Sequence, residues 1–236
     1  MHVLVLAHPD GGTAGVFADE AAARGVTLTT WTPGAGEVAP PRPVAAYDAV
    51  LVLGGGQNVT EADRFPYLRT ELAALGEVLR REQPVLGVCL GHQLLGAAAG
   101  ATVRRTSRLE MGFHAVTLTA DGAADPLLSV LPEAFAGYGW HSYEVDATGR
   151  VPLARSAVSP QALRYGPAAW GVQFHPEVNP AILRGWYADT ASDADVVASG
   201  LDPERALREL LEDPRLTAWM ATGRRLFGRF LDLATP

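Results

Sequence analysis

Apolar positions along the chain fall into short runs whose spacing alternates between two periods. Residues 2–7 (HVLVLA) form a β-branched and leucine run read as a buried first strand. The turn Gly11-Gly12-Thr13 then opens a helix reaching about Arg24. Residues 26–31 read as a second strand, and 49–53 as a third that ends in Gly54-Gly55-Gly56. Residues 66–81 carry Leu68, Leu72, Leu75 and Leu79 at helical spacing. Residues 84–88 are a fourth strand, and 90–99 a helix of small residues stopped by Gly100. Strand and helix in turn predict a parallel sheet covered on both faces.

From 101 to 174 the pattern changes. Short alternating runs at 115–119, 143–145, 153–156 and 162–165 are separated by turn residues and read as strands, some of them antiparallel. The expected fold is α/β: three layers, α/β/α, around a mixed, mostly parallel central sheet, followed by C-terminal helices. In that tail, Asp202-Pro203 and Asp213-Pro214 each set an N-cap before a proline at the first helical position. Leu216, Trp219, Met220, Leu226, Phe227, Phe230 and Leu231 then make one apolar stripe, expected to pack on the domain, with a partner interface over part of it as the alternative. Residues 33–43 are a Pro- and Gly-rich loop. No repeat or linker divides the chain, so 1–236 reads as one domain with 190–236 as a helical extension.

Composition narrows the function. With 48% hydrophobic and 19% charged residues, the 236-residue chain can bury a large core. A net charge of -7 argues against nucleic acid and against an anionic membrane surface. All 19 basic residues are arginine. Lacking lysine, the chain has no Schiff-base residue, no pyridoxal-phosphate anchor and no P-loop lysine. A nucleotide-driven reaction would therefore need another chain to bind the nucleotide. One cysteine allows no internal disulfide. The first apolar run is too short for a signal segment, and no stretch approaches ~18–20 apolar residues. A cytoplasmic protein with no membrane span is expected.

The one cysteine stands in the sharpest motif, Gly87-Val-Cys89-Leu90-Gly91-His92-Gln93, where a strand runs directly into a helix. A nucleophile on such a turn is lifted above the sheet edge, as in the G-x-S-x-G elbow. The helix start favours thiolate, and the Leu90 N–H points toward an oxyanion formed at Cys89. A thiol nucleophile needs a base and the base an orienter. Gly171-Val-Gln-Phe-His175-Pro176-Glu177 supplies both, with His175 at a strand end and a carboxylate two residues on. The Gly54-Gly55-Gly56 loop can offer a second oxyanion N–H, and no lysine follows it as a phosphate cradle requires. The segment 139–145, with His141, Ser142 and Tyr143, puts polar groups where a small polar substrate could lie. His2, His8 and His114 lack ligands at metal spacing, so no metal site is expected. His92 is expected to face solvent or a partner.

The segments GVCLGHQ and GVQFHPE, their order and their separation resemble the class I, triad-type glutamine amidotransferases, and LVLGGGQNV stands where that family has its oxyanion strand. The resemblance spans roughly residues 1–180 and looks most like free-standing, GMP-synthase-like amidotransferase domains. It implies that Cys89, His175 and Glu177 are catalytic and that Cys89 forms a γ-glutamyl thioester and releases ammonia. It further implies that Gly55 and Leu90 supply the oxyanion N–H groups, and that Gln93, His141, Ser142 and Tyr143 line the substrate pocket. The substrate would be L-glutamine or another γ-glutamyl amide, with no cofactor, and the ammonia would pass to a separate synthetase, since nothing in this chain resembles an ATP-binding module. Gly56 stands where the family usually has proline. That departure leaves a stand-alone γ-glutamyl peptide or amide hydrolase as the alternative. A non-catalytic binding module on the same scaffold is the third reading, disfavoured by the intact set of three.

Overall fold

The computed structural model describes residues 1–9, 12–190 and 193–235. Its first half alternates as the spacing requires: β1 (His2–Leu6), α1 (Gly15–Ala23), β2 (Thr27–Trp31), β3 (Ala49–Val52), α2 (Tyr67–Arg80), β4 (Val85–Val88) and α3 (Leu90–Ala98). Of the turn expected at 11–13, Gly11 lies outside the described residues. The second half holds β5 (Val103–Leu118), α4 (Ala120–Ala124), β6 (Ala134–Val145), β7 (Ala154–Arg155), β8 (Pro160–Gly166) and β9 (Ala169–Val172). Four helices follow: α5 (Pro180–Ala188), α6 (Ala194–Ser199), α7 (Pro203–Glu212) and α8 (Pro214–Leu233).

The strands form one mixed sheet of order β2-β1-β3-β4-β9-β8-β7-β5-β6. Pairings from β2 to β9 are parallel and those from β9 to β6 antiparallel, so that only β8 and β5 run against the rest. The parallel centre is covered on both faces, which is why β3 and β4 are unbroken apolar runs. Successive β1 side chains go to opposite faces. Val3 and Val5 join one core with Phe17 of α1 and Phe227 of α8. Leu4 and Leu6 join the other with Leu68 and Leu75 of α2 and Leu94 of α3.

Two parts of the second half extend beyond the strands expected there. The runs at 115–119 and 143–145 belong to one long ribbon, paired from Val103 opposite Val145 to Thr117 opposite Ala134. A register shift between Arg105 and Glu110 breaks the alternation of two that would have marked the strand in sequence. Helix α5 was likewise not anticipated, although it uses the same device as α7 and α8. The Asn179 side chain accepts from the Ile182 N–H at 3.0 Å, with Pro180 next.

The tail stripe packs on its own chain. Leu216, Trp219, Leu226, Phe227, Phe230 and Leu231 are buried, and Met220 is partly buried. Phe227 stacks on Phe17 at 4.5 Å, and Trp219 meets Phe174 edge-on at 5.6 Å. Asp202 and Asp213 cap α7 and α8 through the N–H groups of Arg205 and Arg215. Among the described residues no helix is long and apolar enough to cross a membrane.

Candidate active site

The ends of β4 and β9 are neighbours in the sheet, and each carries one half of the site. Leaving β4, the backbone turns at Cys89 with φ 51° and ψ -108°, in the left-handed half of conformational space that a side chain disfavours. Such a residue costs ~1–3 kcal/mol and persists only where its surroundings hold it. Here the Cys89 N–H donates to the Val172 carbonyl at 2.8 Å, and the Gln93 N–H donates to the Cys89 carbonyl at 3.0 Å. The flanking glycines have no alternative. A Cβ at Gly87 would stand 2.5 Å from the Gly91 carbonyl oxygen, and one at Gly91 would stand 2.2 Å from that of Val52. Leu90 opens α3, so its N–H has no intrahelical acceptor. The thiol is buried, with Sγ 3.7 Å from the Trp140 carbonyl oxygen.

Beyond β9, the His175 N–H donates to the Tyr138 carbonyl at 2.7 Å, while its own carbonyl accepts from Trp219 Nε1 at 2.8 Å. His175 Nδ1 lies 2.7 Å from Glu177 Oε1, and both residues are buried. Burial is the largest influence on the His175 ring and opposes its charge. The fields of Glu177 and Cys89, with hydrogen bonds to both, outweigh it and raise the ring from its ordinary 6.5 to about 10. Both neighbours therefore favour the charged form of the ring. Gly54 lies between the two halves: a Cβ there would be 2.8 Å from His175 Cε1 and 3.6 Å from Cys89 Cβ. Gly55 abuts Leu90, with its absent Cβ 2.9 Å from Leu90 Cδ2.

The remaining expected residues separate. Gln93 Nε2 donates to the Tyr143 carbonyl and to Gln173 Oε1, both at 3.3 Å. His141 faces the Tyr143 carbonyl through Nδ1 at 3.0 Å and Glu110 through Nε2 at 3.1 Å. Glu110 also accepts from Ser156, Ser159 and Gln161. Burial would raise this carboxyl, but hydrogen bonds from His141 and Ser156 and the fields of His114 and His141 bring it to about 2. Gln93 and His141 thus spend side-chain atoms on the protein itself. Tyr143 is half-buried under the Arg105 guanidinium at 5.6 Å. Ser142 lines a cleft of ≈ 830 Å³ between β5 and α6–α7, shared with Arg105, Arg108, Met111 and Tyr187. His92, expected to face solvent or a partner, does neither. It is fully buried, 5.8 Å from the Tyr165 ring, and burial, then the charge of His141, lower it to about 3.

Three features escaped the sequence. His8 is buried, bonded to the Gly54 carbonyl oxygen and to Glu71 of α2. The Trp186 ring packs edge-on against His175 at 4.7 Å, and Trp140 packs on Trp186 at 5.8 Å. Trp219, expected only as core, also bonds the His175 backbone. Among the described residues no group of three or more His, Cys, Asp and Glu could hold a metal ion.

Comparison with known proteins places the chain in a family. Residues 17–184 match the family described as glutamine amidotransferase class-I. A glutamine-hydrolyzing GMP synthase subunit of Sulfurisphaera tokodaii is 33% identical over 152 residues, 60% of this chain and 74% of that protein. The γ-glutamyl-L-1-hydroxyisopropylamide hydrolase of a Pseudomonas species is 31% identical over 154 residues, 61% of this chain and 50% of that one. A glutamine amidotransferase of Thermotoga maritima superposes with a TM-score of 0.86 at 26% identity, covering 99% of this chain and 97% of its own. The chain belongs to the class I glutamine amidotransferase family.

Proposed function

We propose that the protein hydrolyses the side-chain amide of L-glutamine through a γ-glutamyl thioester on Cys89 and supplies the ammonia to a separate acceptor enzyme. The observation that carries this reading is the strained Cys89 elbow beside a buried His175–Glu177 pair at 2.7 Å. The Cys89 sulfur attacks the amide carbon, forming the C–S bond. The N–H groups of Leu90 and Gly55 receive the oxyanion, and losing one such donor typically costs ~3 kcal/mol of barrier. As the intermediate collapses, the C–N bond breaks and the nitrogen takes the His175 proton, leaving as ammonia. A water then gives a proton to His175 and its oxygen to the acyl carbon, which releases glutamate and frees the sulfur. Glu177 orients the ring and balances its charge throughout.

Free ammonia is mostly ammonium at neutral pH and a poor nucleophile, so release next to an acceptor enzyme is the productive use. The likeness to a GMP synthase component that is a chain of its own supports a synthetase on a separate chain as that partner. Ammonia release from L-glutamine by the purified protein, beside Cys89→Ala, tests the reading. Release that vanishes in the variant is the expected result. Glutamine turnover that survives in Cys89→Ala would sink the thioester.

The aromatic wall favours a second reading. The leaving nitrogen must meet the His175 proton, Trp186 stands beside that ring, and Trp140 packs on Trp186. An N-substituent on a γ-glutamyl amide would find apolar contact there, which suits a hydrolase of γ-glutamyl amines such as the Pseudomonas relative's name describes. Turnover of γ-glutamyl alkylamides at a higher kcat/KM than glutamine, with no partner present, would select this reading over the first.

A further inference from the structure

His8 follows β1 and has no part in the acid–base cycle, yet its side chain is fully buried against the oxyanion loop. Its Nδ1 lies 3.0 Å from the Gly54 carbonyl oxygen. A carbonyl only accepts, so Nδ1 carries the hydrogen and donates. Nε2 lies 3.2 Å from Glu71 Oε2, and the Glu71 side chain is also fully buried. The ring is therefore held at both ends, by α2 on one side and by the loop on the other.

The bond falls on a peptide that little else holds. Gly54 and Gly55 have no side chains to set their rotation, and a peptide between two glycines can turn over at low cost. The Gly54–Gly55 peptide is trans, so the Gly54 C=O and the Gly55 N–H point in opposite directions. With the carbonyl turned to His8, the Gly55 N–H is turned away from it. On its Cβ side Gly55 is closely flanked by His8 and Leu90: an added Cβ would stand 2.8 Å from His8 Cβ and 2.9 Å from Leu90 Cδ2. If the peptide turned over, a carbonyl oxygen would take the place of the N–H and repel the developing oxyanion.

We propose that His8, clamped by Glu71, is a positioning residue that fixes the Gly54–Gly55 peptide so that the Gly55 N–H serves as an oxyanion donor. This rests on the thioester reading above. The pair touches no reacting atom and acts only through the direction of one peptide.

The test uses His8→Leu, which keeps bulk and removes the donor, His8→Asn, whose amide nitrogen can take the place of Nδ1, and Glu71→Gln. In crystal structures, the Gly54 carbonyl leaves its present direction in His8→Leu and keeps it in His8→Asn. In kinetics, His8→Leu lowers kcat for glutamine ~10–100-fold, against 10²–10³ for outright loss of a donor, with KM within about threefold. His8→Asn recovers kcat to within about fivefold of wild type, Glu71→Gln loses ~3–10-fold, and Cys89 alkylation by iodoacetamide, which needs no oxyanion donor, keeps its rate throughout. An unmoved carbonyl in His8→Leu overturns the proposal, as does unchanged kcat or an equal loss in His8→Asn. Should His8→Leu not fold, unchanged kcat and carbonyl direction in Glu71→Gln overturn it. Wild-type protein silent on glutamine and on γ-glutamyl amides would defeat the thioester reading instead, and the crystallographic comparison would still decide the role of His8.

Discussion

Gly54→Ala isolates the geometry between nucleophile and acid. Gly54 does not have a positive φ, so alanine meets no backbone penalty there and the effect is one of space alone. The new Cβ would stand 2.8 Å from His175 Cε1, where ordinary contact begins at 3.4 Å, so the ring must give way by about 0.6 Å (3.4 − 2.8). It has little room to do so. Nδ1 is tied to Glu177 at 2.7 Å, and the Trp186 ring stands 4.7 Å away. A displacement near 1 Å at a reacting group costs on the order of 10²-fold, so kcat for glutamine should fall ~10–100-fold. Stability should fall modestly, because crowding a packed site typically costs ~1–3 kcal/mol and only ~0.4–1 kcal/mol of that is offset by the reduced freedom of the unfolded chain. Gly76→Ala is the control. It lies in α2, its added Cβ meets nothing within 4 Å, and activity should be untouched. Steady-state ammonia release with a thermal melt of each variant decides the matter. Gly54→Ala with kcat within twofold of wild type would refute the idea that His175 works at its present distance.

Two further outcomes follow from the same residues. The folded His175 ring titrates at about 10 against an ordinary 6.5, so its contribution to stability is complete below about 6.5 and is lost as pH rises toward 10. Denaturant unfolding across that window should show a decline on the order of 5 kcal/mol, and Glu177→Gln should flatten it, because burial then favours the neutral ring; an equal slope in both proteins would contradict the pairing. Trp219→Phe removes the 2.8 Å bond to the His175 carbonyl and should cost about 1–3 kcal/mol, a drop in Tm of roughly 2–10 °C, with a fall in kcat that Phe230→Leu at comparable destabilisation does not reproduce.

What could be read from sequence was local. The elbow lies within seven residues, and its glycines announce the turn because no other residue survives at Gly87 or Gly91. The alternation of β1 to α3 was legible because each element buries one face or both with an unbroken period. The β5–β6 ribbon was not, since its register shift cancels the alternation that would reveal it. His8 and Glu71 are 63 positions apart, and His175 and Trp219 are 44 apart. Their partnerships exist only after the sheet has closed. His141 was legible as a polar residue near the site, but its turn toward Glu110 depends on a cross-strand register that no local pattern encodes.

The distribution of bonds around residues 175–177 explains how the fold tolerates a buried charged pair. Desolvation opposes the charged ring, so the attraction of Glu177 prevails only while the carboxylate keeps its place, and Glu177 Oε2 has no hydrogen-bond partner among the described residues to hold it there. The geometry must therefore be held by something other than the pair. Neutral backbone bonds from three elements do this: β6 accepts the His175 N–H, α8 donates to the His175 carbonyl through Trp219, and the Val16 N–H of α1 donates to the Glu177 carbonyl at 2.9 Å. Two glycines bring those helices close enough. A Cβ at Gly15 would stand 1.9 Å from the Glu177 carbonyl oxygen, and one at Gly223 would stand 1.8 Å from that of Pro176. Because α1 and α8 also stack through Phe17 and Phe227, the segment is gripped by elements drawn from both ends of the chain. The C-terminal helix is thus part of what holds the acid in place, and the charged form of the ring stays favoured because the scaffold, not the ion pair, fixes where the carboxylate stands.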